Sequence, residues 1–295
     1  MPASAAETPL VETAPAKVNL TLRVLSRRAD GYHELESLVV FASCGDRLTF
    51  IPGGELTLNV SGPRAAHAGD TADNLVLKAA RGLKALIPGL TVGAFHLEKS
   101  LPVAAGLGGG SSDAAAALRL LARANDLALD DPRLYEAARA TGADVPVCLD
   151  PRPRLMRGIG EKLSAPLALP QLHAVLVNPG AALATKLVFA GWKPAAAPAE
   201  TFDLAALSQA ASFDKFLSML ATQPNDLESA AIGLAPEVAD VIAELAALAG
   251  CRLARMSGSG ATCFGLFTSA AQAVAAAKTL RAKYPDWWVC ETMFG

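Results

Sequence analysis

Four glycines and two serines stand within the segment Leu101-Pro102-Val103-Ala104-Ala105-Gly106-Leu107-Gly108-Gly109-Gly110-Ser111-Ser112-Asp113. That mixture suits contact with phosphate. Glycines let the backbone adopt positive φ and approach a ligand closely. A helix opening after them presents unpaired N–H groups and the positive end of its dipole to an anion. The hydroxyls of Ser111 and Ser112 add donors or a magnesium ligand. Spacing excludes two familiar glycine loops. No lysine follows the cluster, as a P-loop requires, and Ser111 stands where a dinucleotide fingerprint needs its third glycine. Magnitude sets a limit as well: a helix terminus contributes about 1–2 kcal/mol toward an anion, whereas micromolar affinity needs about 8 kcal/mol. A nucleotide site must draw on other segments.

Two polar spots lie in apolar surroundings. Ala14-Pro15-Ala16-Lys17-Val18-Asn19-Leu20 puts Lys17 and Asn19 on the opposite strand face from Val18 and Leu20, and Gly142-Ala143-Asp144-Val145-Pro146 puts Asp144 in a short turn before an apolar run. Taken singly, an exposed strand lysine and an ordinary turn aspartate are the simpler readings of these positions. A second run of small residues, Met256-Ser257-Gly258-Ser259-Gly260-Ala261-Thr262, reads either as a second phosphate or substrate loop or as backbone packed behind the first.

The elements that must hold these groups are mixed. Val11 to Val24 alternates as a half-buried strand does, followed by the turn Arg28-Ala29-Asp30-Gly31 and an apolar run from Leu35 to Phe41. Further strand patterns lie at Asp46 to Ile51, Glu55 to Val60 and Val92 to Leu97. Asp73 or Asn74 is placed to cap a helix with Val76, Ala80, Leu83 and Ile87 on its apolar face. A second helix is expected from Ser111 or Ser112 through Ala124, and a third over Pro132 to Ala140. The cluster Asp150-Pro151-Arg152-Pro153-Arg154 interrupts both periods and predicts a boundary, with domains over 1–155 and 156–295. Beyond it, strands are expected at His173 to Val177, Ala261 to Phe267 and Trp288 to Met293. Helices are expected at Phe213 to Leu220, Pro236 to Leu248 and Ala270 to Leu280, with a surface loop at Lys193 to Ala199. The class is α+β in two lobes.

Composition narrows the function. The 295 residues carry 26 Lys+Arg against 28 Asp+Glu, a net charge of −2. With a pI near 6.1, this argues against a nucleic-acid partner, which usually calls for a basic excess. A mean hydropathy of +0.32 raises the question of a membrane. Asn178, Pro179 and Lys186 break one apolar candidate, and Asp240 and Glu244 break another, so no run reaches the roughly 18 apolar residues of a spanning helix. About a fifth of the chain is alanine, so the hydropathy is mostly methyl groups. Met1 to Leu10 carries neither Lys, Arg nor a long apolar run, and predicts no leader. Five cysteines without paired short spacing predict reduced structural thiols and a cytoplasmic protein, with no metal-ligating set assigned.

Three segments together, Pro15-Ala16-Lys17, Pro102 to Ser112 and Ser257 to Gly260, resemble the GHMP small-molecule kinases. Within that family, Arg28-Ala29-Asp30-Gly31-Tyr32-His33, Gly142-Ala143-Asp144-Val145-Pro146, Gly158-Ile159-Gly160-Glu161 and Asn225-Asp226-Leu227-Glu228 look like the branch acting on a cytidine diphosphate methylerythritol. The resemblance runs in family order over nearly the whole chain. It implies a ribosomal S5 domain 2-like amino-terminal lobe and a ferredoxin-like carboxy-terminal lobe. The implied reaction is ATP-dependent phosphorylation of the substrate 2-hydroxyl, with magnesium, in a monomer or homodimer of the non-mevalonate isoprenoid route. By the same resemblance Lys17 and Asp144 match the catalytic pair, and Pro102, Val103, Ala104, Ala105, Gly106, Leu107, Gly108, Gly109, Gly110, Ser111 and Ser112 match the ATP loop. Tyr32 and His33 match the cytidine-recognising pair, Asn19 lies near the acceptor, and Thr185 matches a substrate-contacting threonine. Val147-Cys148 and Ala182 to Ala184 depart from the family pattern.

Overall fold

The structure, a computed structural model, describes residues 8–194, 203 and 212–295. In chain order the strands are β1 (Leu10–Asn19), β2 (Arg23–Arg27), β3 (His33–Pro52), β4 (Thr57–Ser61), β5 (Gly93–Glu98), β6 (Arg154–Gly158), β7 (Lys162–Leu163), β8 (Leu172–Asn178), β9 (Cys251–Met256), β10 (Cys263–Phe267) and β11 (Trp288–Phe294). The helices are α1 (Leu75–Leu86), α2 (Gly109–Ala124), α3 (Pro132–Thr141), α4 (Val145–Leu149), α5 (Thr185–Gly191), α6 (Phe213–Ala221), α7 (Glu228–Leu234), α8 (Glu237–Ala247) and α9 (Ala270–Lys283). Most of the loop expected at Lys193 to Ala199 lies outside the described residues.

Packing divides the chain into two compact units. Unit 1 comprises Met1–Pro15, Gly45–Val103 and Gly109–Asp150; unit 2 comprises Ala16–Cys44, Ala104–Gly108 and Pro151–Gly295.

In unit 1, β4 runs parallel to β5 (Thr57 opposite Ala94), and β5 runs antiparallel to the later part of β3 (Arg47 opposite Glu98). The Asn74 side chain caps α1 by accepting from Val76 N–H at 3.0 Å, as its position predicts. Val76, Ala80 and Leu83 are fully buried along that helix. The first turn of α2 begins at Gly109, two residues before the expected serine start. Its Ala114 to Ala117 are completely buried where α2 meets α1, α3 and α4. Small side chains let these axes approach closely, which is where the alanine methyl groups go.

In unit 2, four antiparallel strands run in the order β11-β8-β10-β9, with Val177 opposite both Val289 and Cys263. The early part of β3 joins β11 at Ala42 and Phe294 and pairs on its own length with β2 and β6. Val175, Val188, Val241, Leu245, Phe267 and Leu280 belong to its continuous core.

Two strand expectations change. The single strand foreseen over Val11 to Val24 bends at Leu20, because Leu22 N–H donates to Pro224 O and Leu22 O accepts from Asp226 N–H. The apolar run and the Asp46 segment are in fact one twenty-residue strand, β3. Gly45 makes that continuity possible, since a Cβ there would lie 2.3 Å from Ala14 O. Among the described residues no helix is long and apolar enough to cross a membrane.

Candidate functional site

The part of the glycine loop in unit 2 rests on the second glycine run. Ser257 Oγ donates to Gly106 O at 3.0 Å, Thr262 N–H donates to Ala105 O, and Ser257 N–H donates to Thr262 O. Gly106 has φ +74°, and a Cβ there would lie 2.4 Å from Ser257 O and 2.9 Å from Gly260 N. Only glycine fits so close a backbone approach. The two readings left open for Met256 to Thr262 therefore resolve toward support of the first loop. Asn225, from a motif with no assigned role, holds this support by donating from Nδ2 to Met256 O and Gly258 O.

The Lys17 segment joins the same network. Lys17 N–H donates to Leu107 O at 2.9 Å, and Asn19 N–H donates to Ser257 Oγ at 3.0 Å. Lys17 Nζ donates to Asn19 Oδ1, while Asn19 Nδ2 donates to Ser37 Oγ. Both side chains are almost completely buried, 4% and 1% exposed. The half-buried strand expected here is thus buried on both faces. Polar groups survive at this depth because each is hydrogen-bonded. One ladder of bonds therefore carries Lys17, Asn19, Gly106 and Ser257 as a unit.

Tyr32 and His33 follow a turn closed by Arg28 N–H to Tyr32 O and by Tyr32 N–H to Asp30 Oδ1. The Tyr32 ring is 59% exposed, a large apolar surface presented to solvent. The His33 ring stacks on Phe189 at 5.0 Å and meets Trp192 edge-on at 5.6 Å. Burial, with the charge of Arg27 adding to it, lowers the imidazole below its ordinary pKa, so the neutral ring is favoured. Thr185 opens α5, whose later residue is Phe189, and its Oγ1 lies 2.9 Å from Ser259 Oγ. Helix α5 thus connects the second glycine run with the aromatic cluster. Nothing in the sequence of α5 reports the contact of Phe189 and Trp192 with residue 33.

Unit 1 holds the remaining positions. Gly109, Gly110, Ser111 and Ser112 form the first turn of α2. The Ser112 hydroxyl is buried and donates to Pro15 O at 2.8 Å, so it fastens β1 to α2. Ser111 is only half-buried, and no such bond engages its hydroxyl among the described residues. Asp144 is half-buried at the N-cap position of α4 and makes no side-chain capping bond there. Val147 and Cys148 are completely buried in α4, with Cys148 O accepting from Arg119 at 2.8 Å. These departures from the family pattern are core positions of unit 1. Lys99, Asp46 and Asp113 form a buried ionic cluster near the loop that the spacing of charges did not reveal. No group of three His, Cys, Asp or Glu that could hold a metal occurs among the described residues.

Comparison with known proteins gives the family of the chain. The family described as GHMP kinases N terminal domain matches residues 74–150, and GHMP kinases C terminal matches 203–286. The chain is 57% identical over 286 residues to a 4-diphosphocytidyl-2-C-methyl-D-erythritol kinase of Rhodopseudomonas palustris, covering 95% of this chain and 93% of that one. It is 58% identical over 290 residues to a protein of the same name from Methylobacterium radiotolerans, covering 96% and 98%. A crystal structure of 4-(cytidine 5'-diphospho)-2C-methyl-D-erythritol kinase matches with a TM-score of 0.76 at 38% identity, covering 97% of this chain and all of that one.

Proposed function

We proceed from the fact that this chain belongs to the GHMP kinase family, and we propose that it transfers the γ-phosphoryl group of ATP to the 2-hydroxyl of 4-diphosphocytidyl-2-C-methyl-D-erythritol. The product would enter the non-mevalonate route to isoprenoid precursors. The observation that carries the reading of the site is the bonded ladder in unit 2. Lys17, Asn19 and the loop residues Gly106 and Leu107 are held by the same few hydrogen bonds.

The chemistry asks little covalent work of the protein. Phosphoryl transfer is catalysed mainly by positioning and by stabilising charge. An alcohol is a weak nucleophile, so Asp144 is assigned to accept the proton of the 2-hydroxyl as phosphorus is attacked. Lys17 stabilises the alkoxide that develops there, with Asn19 orienting the ammonium through the 2.9 Å bond to its Oδ1. The amides of Pro102 to Ser112, proline excepted, hold the phosphates at the start of α2. Magnesium binds through one or two protein oxygens together with phosphates and water. The half-buried Ser111 hydroxyl supports that mode. Bound there, the ion would neutralise phosphate charge.

Recognition of the nucleoside falls to Tyr32 and His33. A phenol ring stacks on a pyrimidine with little loss of side-chain entropy, and the 59% exposed Tyr32 ring supports that assignment. The neutral imidazole of His33 offers one donor and one acceptor to the base edge. Thr185 is assigned to the substrate through the α5 N-terminus. The enzyme is assigned to the cytoplasm as a monomer or homodimer. Asp144→Asn tests the central role: ATP still binds and turnover is nearly abolished, whereas full activity in that variant would overturn the assignment.

A further inference from the structure

Lys99 follows β5 in unit 1 and is 4% exposed. Its ammonium donates to Asp46 Oδ2 on β3 and, at 2.7 Å, to Asp113 Oδ2 on α2. Asp46 is completely buried, and its other oxygen accepts from Ser100 N–H at 2.6 Å and Leu101 N–H at 2.9 Å. Asp113 is 2% exposed, and its Oδ1 has no hydrogen-bond partner among the described residues. A Cβ on Gly109 would lie 3.6 Å from Lys99 Nζ, so the cluster sits beside the first turn of α2.

Stability alone gives no reason for this arrangement. Replacing buried ions with packed apolar groups is often neutral or stabilising, and here two carboxylates share one cation. Burial lowers the Lys99 pKa, but the charges of Asp113 and Asp46 outweigh it and the net shift is upward, so the ammonium is kept. Burial pushes the Asp113 carboxyl up to about 7, with Lys99 opposing the rise and Asp46 adding to it. Asp113 is the looser of the two carboxylates.

The location supplies the reason. Residues 99–101 lead directly into Pro102, and Asp113 directly follows Ser112. We propose that Lys99, clasped by Asp46 and Asp113, is a positioning residue for phosphoryl transfer, fixing the strand end at Ser100-Leu101 against the first turn of α2 so that the loop between them is held ready for the ATP phosphates. The inference rests on the reading of Pro102 to Ser112 as the ATP loop. A small displacement of such a loop is costly, because an error of about 1 Å in placement can cost on the order of a hundredfold in rate.

The test compares the KM values for ATP and for the cytidine substrate in Lys99→Met, Lys99→Arg, Asp113→Asn and the double variant Lys99→Met/Asp113→Asn. Lys99→Met is expected to raise the ATP KM by about tenfold or more while the acceptor KM stays within about twofold. Lys99→Arg recovers part of the loss. The double variant removes one of the two stranded carboxylates, so it recovers thermal stability but not the ATP KM. An ATP KM unchanged in Lys99→Met, or restored in the double variant, would overturn the proposal. Should Lys99→Met fail to fold, Asp113→Asn decides: a selective rise in the ATP KM supports the clasp, and no change refutes it. Gly108→Val, run alongside, separates the two readings. Unchanged ATP affinity there defeats the loop assignment itself, whereas lost affinity there with unaffected Lys99 variants defeats only the clasp.

Discussion

Asn19 illustrates how one residue can tie several segments together. Its amide oxygen accepts from Lys17 Nζ, its amide nitrogen donates to Ser37, and its backbone N–H reaches Ser257. Substitutions here and at Asp144 report on different things. Asp144→Asn is expected to lower kcat by about 10²–10⁴-fold with ATP affinity retained, as loss of a general base does; a binding titration beside the turnover assay checks it. His33 gives a pH signature. Its imidazole is lowered below 6.5 by burial and by Arg27. Above 6.5 the ring is neutral in the folded and unfolded chain alike. As pH falls from 6.5 the unfolded chain takes the proton first, so stability declines, and further acidification charges the folded ring as well. The KM for the cytidine substrate should therefore rise on the acid side with a midpoint below 6.5; a midpoint at or above 6.5 would contradict a reading role for this ring. Lys17, Asp144, Tyr32 and His33 were legible as candidates because each stands in a short motif. Phe189, Lys99 and Asp46 were not, because their partners are 156, 14 to 53 and 53 to 55 positions away in the chain and no spacing rule reports such contacts.

At the scale of elements, the first glycine loop depends on the second. Gly106→Ala would drive a methyl group into Ser257 O and Gly260 N at a backbone φ of +74°. The expected result is a large rise in the ATP KM with the acceptor KM less affected, measured by initial rates. Ser257→Ala removes the acceptor of Asn19 N–H and the donor to Gly106 O. Leaving buried polar groups unpaired costs about 1–3 kcal/mol, and chemical denaturation should show a loss of that order. Helix starts were readable where a side chain caps them, as Asn74 and Asp131 do. The spacing predicts the start of α2 two or three residues past Gly109, because Gly109 and Gly110 have poor intrinsic helix propensity, which the packing around the first turn overrides. Two strand patterns in the sequence are the single strand β3, because nothing in the spacing reports that Gly45 packs against Ala14, where a Cβ would lie 2.3 Å from Ala14 O.

For the whole molecule, the high hydropathy that raised the question of a membrane is accounted for by packing. Ala114 to Ala117 are completely buried in α2, and the same holds for Ala79 and Ala80 in α1. Overfilling this seam is expected to be costly. Ala116→Leu should destabilise the fold by about 1–3 kcal/mol, read as a lowered melting temperature. The mixed class was legible from periodicity, but the composition of the two units was not. Unit 1 ends at Asp150, and Ala16–Cys44 and Ala104–Gly108 belong to unit 2. A linear reading cannot see that β1 and β3 each contribute to both units. The balance of charge, 26 against 28, is likewise silent on the proposed phosphate site, which would rest on backbone amides and a few buried side chains. The most direct measurement is an ADP-coupled assay offering 4-diphosphocytidyl-2-C-methyl-D-erythritol, homoserine, mevalonate and galactose in parallel, with phosphorus NMR of the product. The predicted result is ADP release with the cytidine substrate alone and a new phosphomonoester at its 2-position; preferential turnover of any other acceptor, or phosphorylation at another hydroxyl, would contradict it.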